Sequence, residues 1–563
     1  MNSFRRLVTN RWAFQIPAGI FLFALFLRLW GIGGGLPFPA NIDEVNNYVL
    51  HAAQIPTAGL APSSMFNPVG YTYACYLLFG LLHGFGAGVT RTFASDPGAL
   101  ILDARLISAI AGAAVAPVVY AAARIAFDRS AAVLAGLLAA CAFLPVFYSH
   151  ISVNDSAAML PAAVGLLAAI GIYKSGGRHW YLIAGASSGL AAGTKYTGGF
   201  VIASALIASL IRIREDGARR TLVDLALLVI AALGAFLVSN PYAAIDFGRF
   251  RNDLATLDGL QSTRYAGEIE RSPSAYYAWS LSWGLGWVAS FSALGGAILL
   301  AVRRPRIATL LIFPPLLLLL LLVGKPLFFA RYLLPAYPAL CLLAAFAAAE
   351  LVRLANRHYP SAAKGSAGVL AAVALCGQPL AHSLHLDIVW SQKTTAASSV
   401  DWVKANIPTG SQIVVDQYLP PWWPQQGGQP KYTVKPEPFG FLDRGLWAAS
   451  AGPALIDTAR AKGWCWFVVS SYQAGRVAND PTSFPNAIAY YRKLHRQATL
   501  VHRDSPLGSS AGGSNDLGGE RFSYEWSYDN YPFAYKRPGP VLSIYRLRNC
   551  KPKPAANSSA KAG

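Results

Sequence analysis

Apolar runs of membrane-spanning length recur along this chain, and nothing else in it limits the fold as tightly. Stretches such as 221–239 (TLVDLALLVIAALGAFLVS) and 307–323 (IATLLIFPPLLLLLLLV) approach or reach the roughly 20 residues that cross a hydrocarbon core. Composition agrees: 54% of residues are hydrophobic and 13% charged, where soluble domains carry about 25% charged residues. The chain therefore reads as a polytopic α-helical membrane protein. Its N-terminus, MNSFRRLVTNRW, is basic, but the apolar run behind it is long and lacks a small-residue cleavage site, so an uncleaved first span is expected. A net charge of +20 would suggest nucleic acid in a soluble protein. Here the basic residues sit mostly in short loops between spans, where orientation explains them, and no nucleic-acid partner is expected. The six cysteines show no CxxC and no metal-ligand spacing.

Spans are expected near 13–33, 104–123, 131–148, 156–173, 180–194, 196–211, 221–239, 276–301, 307–323, 331–352 and 366–384. The run 71–89 (YTYACYLLFGLLHGFGAGV) is long enough to cross but is glycine-rich and holds His83. Charge decides its reading. If it does not cross, Arg5, Arg6, Arg11, Arg124, Arg129, Lys174, Arg178, Arg212, Arg214, Arg219, Arg220, Arg303, Arg304, Arg306, Arg353, Arg357 and Lys364 all lie in inner segments. The outer junctions then keep only Lys195, Lys325 and Arg331, which is the positive-inside pattern. The expectation is about eleven spans, 71–89 interfacial or re-entrant, the N-terminus cytoplasmic and the C-terminus outside.

Past residue 384 the composition changes. SSVDWVKANIP, IVVDQY, ALIDTARAKG, CWFVVSSY and VLSIYRL alternate helical with β-branched character, so residues 385–550 are expected to form an extracytoplasmic α/β domain. Residues 509–519 read as a flexible loop and 551–563 as a disordered tail. Cys465 and Cys550 lie in this part and pair or stay free with equal weight. PPWWPQQGG (420–428) suits either a membrane interface, where tryptophan is favoured, or a prolyl loop packed on its own domain.

Two adjacent carboxylates, Asp43 and Glu44, stand where the first span leaves the bilayer, inside an otherwise apolar, small-residue loop. Asp is also a good helix cap, yet a lone acidic pair in such a setting favours a polar cavity. On the assigned topology Asp155, in YSHISVNDS, reaches the same outer edge. Asp43, Glu44, His150 and Asp155 suit a general base with a partner that orients or tunes it. Glu44 and Asp155 equally suit a divalent metal through oxygen ligands, and spacing leaves both open. Lys195 (GTKYTGG) and Arg331 (GKPLFFARYLLP) break the positive-inside trend and suit a phosphate, with Tyr196 and Tyr332 beside them. Lys325 suits a phosphate or snorkelling to headgroups alike. Phosphate-binding cations next to a carboxylate base describe a lipid-linked leaving group and an activated nucleophile.

The ordered set NIDEVNNY, ARLISAIAGAAVAPVVYAAARIAFDRSAAVLAGLLAA, YSHISVNDS, GLAAGTKYTGGFV and ARYLLPAYPAL resembles the GT-C membrane glycosyltransferases that include protein O-mannosyltransferases and lipid A aminoarabinose transferases. The resemblance covers roughly residues 10 to 350 and implies a GT-C transmembrane catalytic domain at 1–384. It also implies a sugar donor on a polyprenyl phosphate, an extracytoplasmic acceptor (protein, lipid or envelope glycan) and inversion at the anomeric carbon. Asp43 would be the catalytic base, Glu44 its partner in the Asp-Glu pair and Asp155 a supporting carboxylate, with a metal present in some relatives and absent from others. A bacterial inner membrane location is implied as well. A transporter or flippase of a lipid-linked anion is the main competing reading, but it predicts internal repeats that this sequence does not show. A scaffold role and phospho-group transfer rank below it.

Overall fold

The computed structural model describes residues 11–41, 43–262, 272–358, 364–415, 419–420, 422–425, 432–436, 452–507 and 532–552. The loop expected at 509–519 and the tail from residue 553 lie outside the described residues. Eight helices among the described residues are long and apolar enough to cross a membrane: Pro97–Ala126, Asn154–Ser175, Tyr196–Asp216, Ala218–Ser239, Pro273–Arg303, Pro305–Val323, Ala330–Arg357 and Gly365–Asn406. Arg129–Cys141 and Phe143–Ser149 pass the same test together, bent by 48°. The expected first span is the shorter helix Phe14–Leu29, and that at 180–194 is the 17-residue helix Arg178–Thr194. The count of eleven is thus reached only by including these two.

At 71–89 the chain folds into two helices, Gly70–His83 and Ala87–Ser95, set at 89° to each other. Gly84 and Gly86 between them have φ of +84° and +63°, in the left-handed region that glycine occupies at little cost. Such a corner fits the interfacial or re-entrant reading. His83 Nε2 anchors it to Asp103 Oδ2 of the next helix at 2.6 Å.

Small residues set the tightest packing. Gly185, Gly189 and Gly193 recur every fourth residue along Arg178–Thr194, and a Cβ at the first two would lie 2.2 and 2.1 Å from the carbonyls of Leu228 and Ala232. That is the small-xxx-small device by which helices approach closely in lipid. It seats Arg178–Thr194 against Ala218–Ser239. The top of the pair is pinned by Asn240, whose Nδ2 donates to Gly193 O at 2.9 Å while its Oδ1 accepts from the Val69 amide at 2.7 Å.

The helix Lys364–Trp390 runs on past residue 384. After Thr395–Asn406 the chain builds a five-stranded sheet of order β2-β1-β3-β5-β4 from β1 (Gln412–Val415), β2 (Thr433–Pro436), β3 (Trp466–Ser470), β4 (Ala498–Asp504) and β5 (Leu542–Leu547). β1 is parallel to β2 and β3, and β5 is antiparallel to β3 and β4. Cys465 and Cys550 form a disulfide across 85 residues, just before β3 and beyond β5. Of the two tryptophan readings, packing on protein holds. Trp423 is buried and donates to Ala396 O at 3.1 Å, while Trp422 donates to Pro37 O at 2.8 Å and meets Phe93 edge to face. The sheet's periphery therefore touches the loop that leads to Asp43.

Candidate active site

Asp43 precedes a π-helical turn, Glu44–Val49, that continues as the helix Leu50–Ala58. Such turns are rare and concentrate at functional sites. Adjacent positions on a helix point in different directions, and here the two carboxylates part company.

Glu44 turns inward and is fully buried. Arg105 binds it with both prongs, Nε to Oε2 at 2.7 Å and Nη2 to Oε1 at 2.9 Å. Ser152 adds its amide at 3.0 Å and its hydroxyl at 3.2 Å. The remaining Arg105 nitrogen, Nη1, donates to the carbonyls of Ile32 and Gly34, each at 2.8 Å, and the guanidinium lies 5.1 Å from the Trp390 ring centre. Only glycine fits at position 34, where a Cβ would stand 2.0 Å from Trp390 O. One cation thus clamps the glycine-rich loop and the carboxylate that follows it.

Asp43 stays reachable, with 29% of its side chain exposed. Its Oδ2 lies 3.2 Å from Arg331 Nη1, and its Oδ1 accepts from Asn47 Nδ2 at 3.0 Å. Arg331 sits on the 3₁₀ turn Ala330–Ala336 with its guanidinium 4.4 Å from the Phe329 ring centre. The next residue, Tyr332, lies under Lys195, whose Nζ is 5.2 Å from that ring centre and pairs with Asp155. Asp155 is held in the first turn of Asn154–Ser175, and Asn154 fastens that turn to Thr194 O at 2.7 Å. Consecutive residues of one short turn therefore set two acid–base pairs side by side. Tyr472, from the helix after β3, reaches the Ala40 carbonyl at 3.1 Å; burial and the Asp43 charge push its phenol above its ordinary range.

Asp43, Asp155, Lys195, Arg331 and Tyr332 are brought together, and four expected residues go elsewhere. His150 is buried beneath the first-span loop, with Nδ1 at 2.9 Å from Val146 O, Nε2 at 3.0 Å from Trp30 O and Asp387 Oδ1 at 3.3 Å. It braces helices and orients no base. Lys325 pairs with Asp258 on the helix Phe247–Gln261, and Tyr196 donates to Met65 O at 2.8 Å. Glu44 is occupied on both oxygens, so it positions its neighbour and has no free edge for chemistry. The metal reading fares no better: Glu44 is saturated by Arg105 and Ser152, Asp155 is paired with Lys195, and no group of three or more His, Cys, Asp or Glu able to hold an ion occurs among the described residues. This donor set does not fit a metal, and no step is routed through one.

Arg105 and Asn47 were missed by the sequence reading. Arg105 could have been found, because an arginine inside an apolar span is costly unless it has a partner. Asn47 carries no such signal.

Residues 90–244 match the family model of dolichyl-phosphate-mannose-protein mannosyltransferases. A comparison with curated protein sequences finds no match. Among solved structures, the oligosaccharyltransferase of Archaeoglobus fulgidus in its apo form aligns with a TM-score of 0.54 at 12% identity, covering 96% of this chain and 89% of its own. The same organism's AglB, in complex with an inhibitory peptide and a dolichol-phosphate, aligns with a TM-score of 0.54 at 12% identity over 95% of this chain and 88% of its own. ArnT from Cupriavidus metallidurans, bound to undecaprenyl phosphate, has a TM-score of 0.54 at 14% identity, covering 95% of this chain and 98% of its own. The likeness extends over almost the whole chain and establishes the GT-C fold, sheet unit included.

Proposed function

We propose that this chain is a membrane glycosyltransferase that moves a sugar from a polyprenyl-phosphate donor to an extracytoplasmic acceptor, with Asp43 as general base. The observation that carries the reading is the pairing of Asp43 with Arg331 beside Asp155 with Lys195. A partly exposed carboxylate adjoins two cations on elements that meet at one end of the spans. The matched solved structures support the donor class, since one is a complex with a dolichol-phosphate and another is bound to undecaprenyl phosphate.

The step follows from these groups. An acceptor hydroxyl gives its proton to Asp43 as its oxygen attacks the anomeric carbon from the face opposite the phosphate. The bond from that carbon to the phosphate oxygen breaks, its electron pair leaves on the phosphate, and configuration inverts. Arg331 and Lys195 stabilise the charge that develops on the departing oxygen, with Arg331 able to hold two phosphate oxygens at once. Binding of the donor phosphate draws Arg331 from Asp43 and frees the base. The phosphate's own charge offsets the loss of that pair, which is costly to leave unmet because the Arg331 side chain is only 15% exposed. Asp155 keeps Lys195 aimed at the same point, and the Glu44–Arg105 clamp holds the backbone of Asp43 at fixed depth. The location that follows is a bacterial plasma membrane, with the sheet unit on the outer face, where an oxidising compartment suits the Cys465–Cys550 disulfide.

The test uses purified full-length protein in lipid nanodiscs with a panel of polyprenyl-phosphate sugars and an envelope extract as acceptor. Release of free polyprenyl phosphate by wild type, and not by Asp43→Asn, supports transfer and names the sugar. Release by neither protein across a panel that includes the cell's own carriers would sink it in favour of transport.

A further inference from the structure

The helix that begins beside Asp43 carries Asn47, His51, Gln54 and Ala58 at spacings of three and four, which places them on one face. All four line a cavity of about 360 Å³, a size typical of ligand pockets. Its opposite wall is the segment up to Tyr73, including Asn67, with Arg249 at the far end. The transfer step uses none of these groups, and Asn47 touches it only through its hydrogen bond to Asp43.

The wall is built independently of any occupant. Asp253 accepts from the Met65 amide at 2.7 Å, Tyr196 donates to the Met65 carbonyl at 2.8 Å, and Asn240 accepts from the Val69 amide at 2.7 Å. Arg249 is held by the Ser63 carbonyl and by Asp253. Apart from Arg249, the polar side chains that line the cavity are neutral. Asn47, Gln54 and Asn67 are side-chain amides that both donate and accept. His51 is half-buried, and burial lowers its pKa from the ordinary value, so it is an uncharged donor and acceptor near pH 7.

Charge is therefore divided across Asp43. Its Oδ2 faces Arg331 and its Oδ1 faces Asn47, with Arg331 and Lys195 to one side and a cavity lined mainly by neutral side chains to the other. We infer that this cavity is the acceptor subsite and that the acceptor it takes is a neutral, hydroxyl-rich glycan, a reading that rests on the transfer reaction above. Paired amides match hydroxyls, which also donate and accept. Among the described lining residues an anionic acceptor meets one cation, Arg249, which donates to the Ser63 carbonyl and lies 4.0 Å from Asp253. An extended peptide commonly docks along a sheet edge, whereas the walls here are helix and loop.

The experiment measures saturation-transfer NMR on the full chain in nanodiscs. Its probes are a neutral methyl trisaccharide, a doubly phosphorylated disaccharide and a peptide containing Ser and Thr. Polyprenyl phosphate binding is followed in parallel by thermal shift. The expected result is transfer to the neutral glycan alone. Asn67→Ala should weaken it about five-fold, as loss of one hydrogen bond would. Ala58→Trp, which fills the rim, should abolish it while polyprenyl phosphate still binds. Preference for the phosphorylated sugar or the peptide would overturn the substrate class. Absence of any probe binding while polyprenyl phosphate binds, or glycan binding unchanged in Ala58→Trp, would overturn the subsite. Glycan binding without polyprenyl phosphate binding would remove the transfer reaction and leave the glycan cavity standing.

Discussion

Asp43 and Glu44 are neighbours in sequence, and their surroundings differ more than those of any distant pair in the site. Around Glu44 every oxygen is satisfied, the partner is a bidentate arginine, and both side chains are wholly shut off from solvent. Around Asp43 one oxygen meets an arginine edge-on, the other an amide, and 29% of the side chain stays open. A buried, saturated ion pair fixes geometry, whereas a partly open carboxylate can exchange partners. The site needs one of each, and a single turn of chain supplies both.

The largest expected effect breaks the comparison at its open half. Asp43→Asn keeps the shape and removes the base, so turnover should fall by about a thousand-fold with the melting temperature unchanged. Nucleophile activation by another group is indicated if polyprenyl phosphate release persists. The closed half should fail differently. Arg105→Met leaves Glu44 buried with Ser152 but no counter-charge and should cost about 3–5 kcal/mol of stability, read by thermal unfolding. Adding Glu44→Gln should recover much of that loss, because no stranded charge remains. Recovery of stability without recovery of turnover would sharpen the division of labour between the two carboxylates.

Arg331→Ala should lower turnover about a hundred-fold by weakening charge stabilisation on the leaving phosphate, with Arg331→Lys intermediate because a point charge cannot grip two oxygens. Cys465→Ser should lower stability of the sheet unit by about 2–4 kcal/mol, since the bridge closes a loop across 85 residues. Lys325→Ala marks the small end. Its ion pair with Asp258 is solvent-exposed on the acidic side, so stability should move by less than about 0.5 kcal/mol and turnover should hold. A large fall in turnover would return Lys325 to the phosphate site.

Where a reading depended on local pattern, the sequence was sufficient. Nine expected spans coincide with helices or a bent helix pair that pass the length and hydropathy test, because twenty apolar residues admit few alternatives. The corner at Gly84–Gly86 was legible from glycine content and charge bias together. Asp155, Lys195 and Arg331 converge with Asp43 at one end of the spans, as the alternation of spans suggested. Pairing was another matter. Glu44 and Arg105 lie 61 residues apart, and no local signal chooses between a solvated cap and a buried clamp. His150 follows the same logic: its ring nitrogens look identical in sequence whether they face Asp155 or, as found, Trp30 and Asp387. The cavity beside Asn47 is a property of two walls meeting, and a linear pattern shows only one.

The glycine stripe at 185, 189 and 193 has a metrical consequence. Seventeen residues of helix make a rod about 26 Å long, a few ångströms short of a hydrocarbon core of about 30 Å. Because a Cβ at Gly185 or Gly189 would strike the facing backbone, the rod is keyed to its neighbour and cannot slide to make up the difference. With Arg178 at one end of the rod, the other end sets the height of Lys195. The helix is a ruler, and the mark it makes is the position of Lys195.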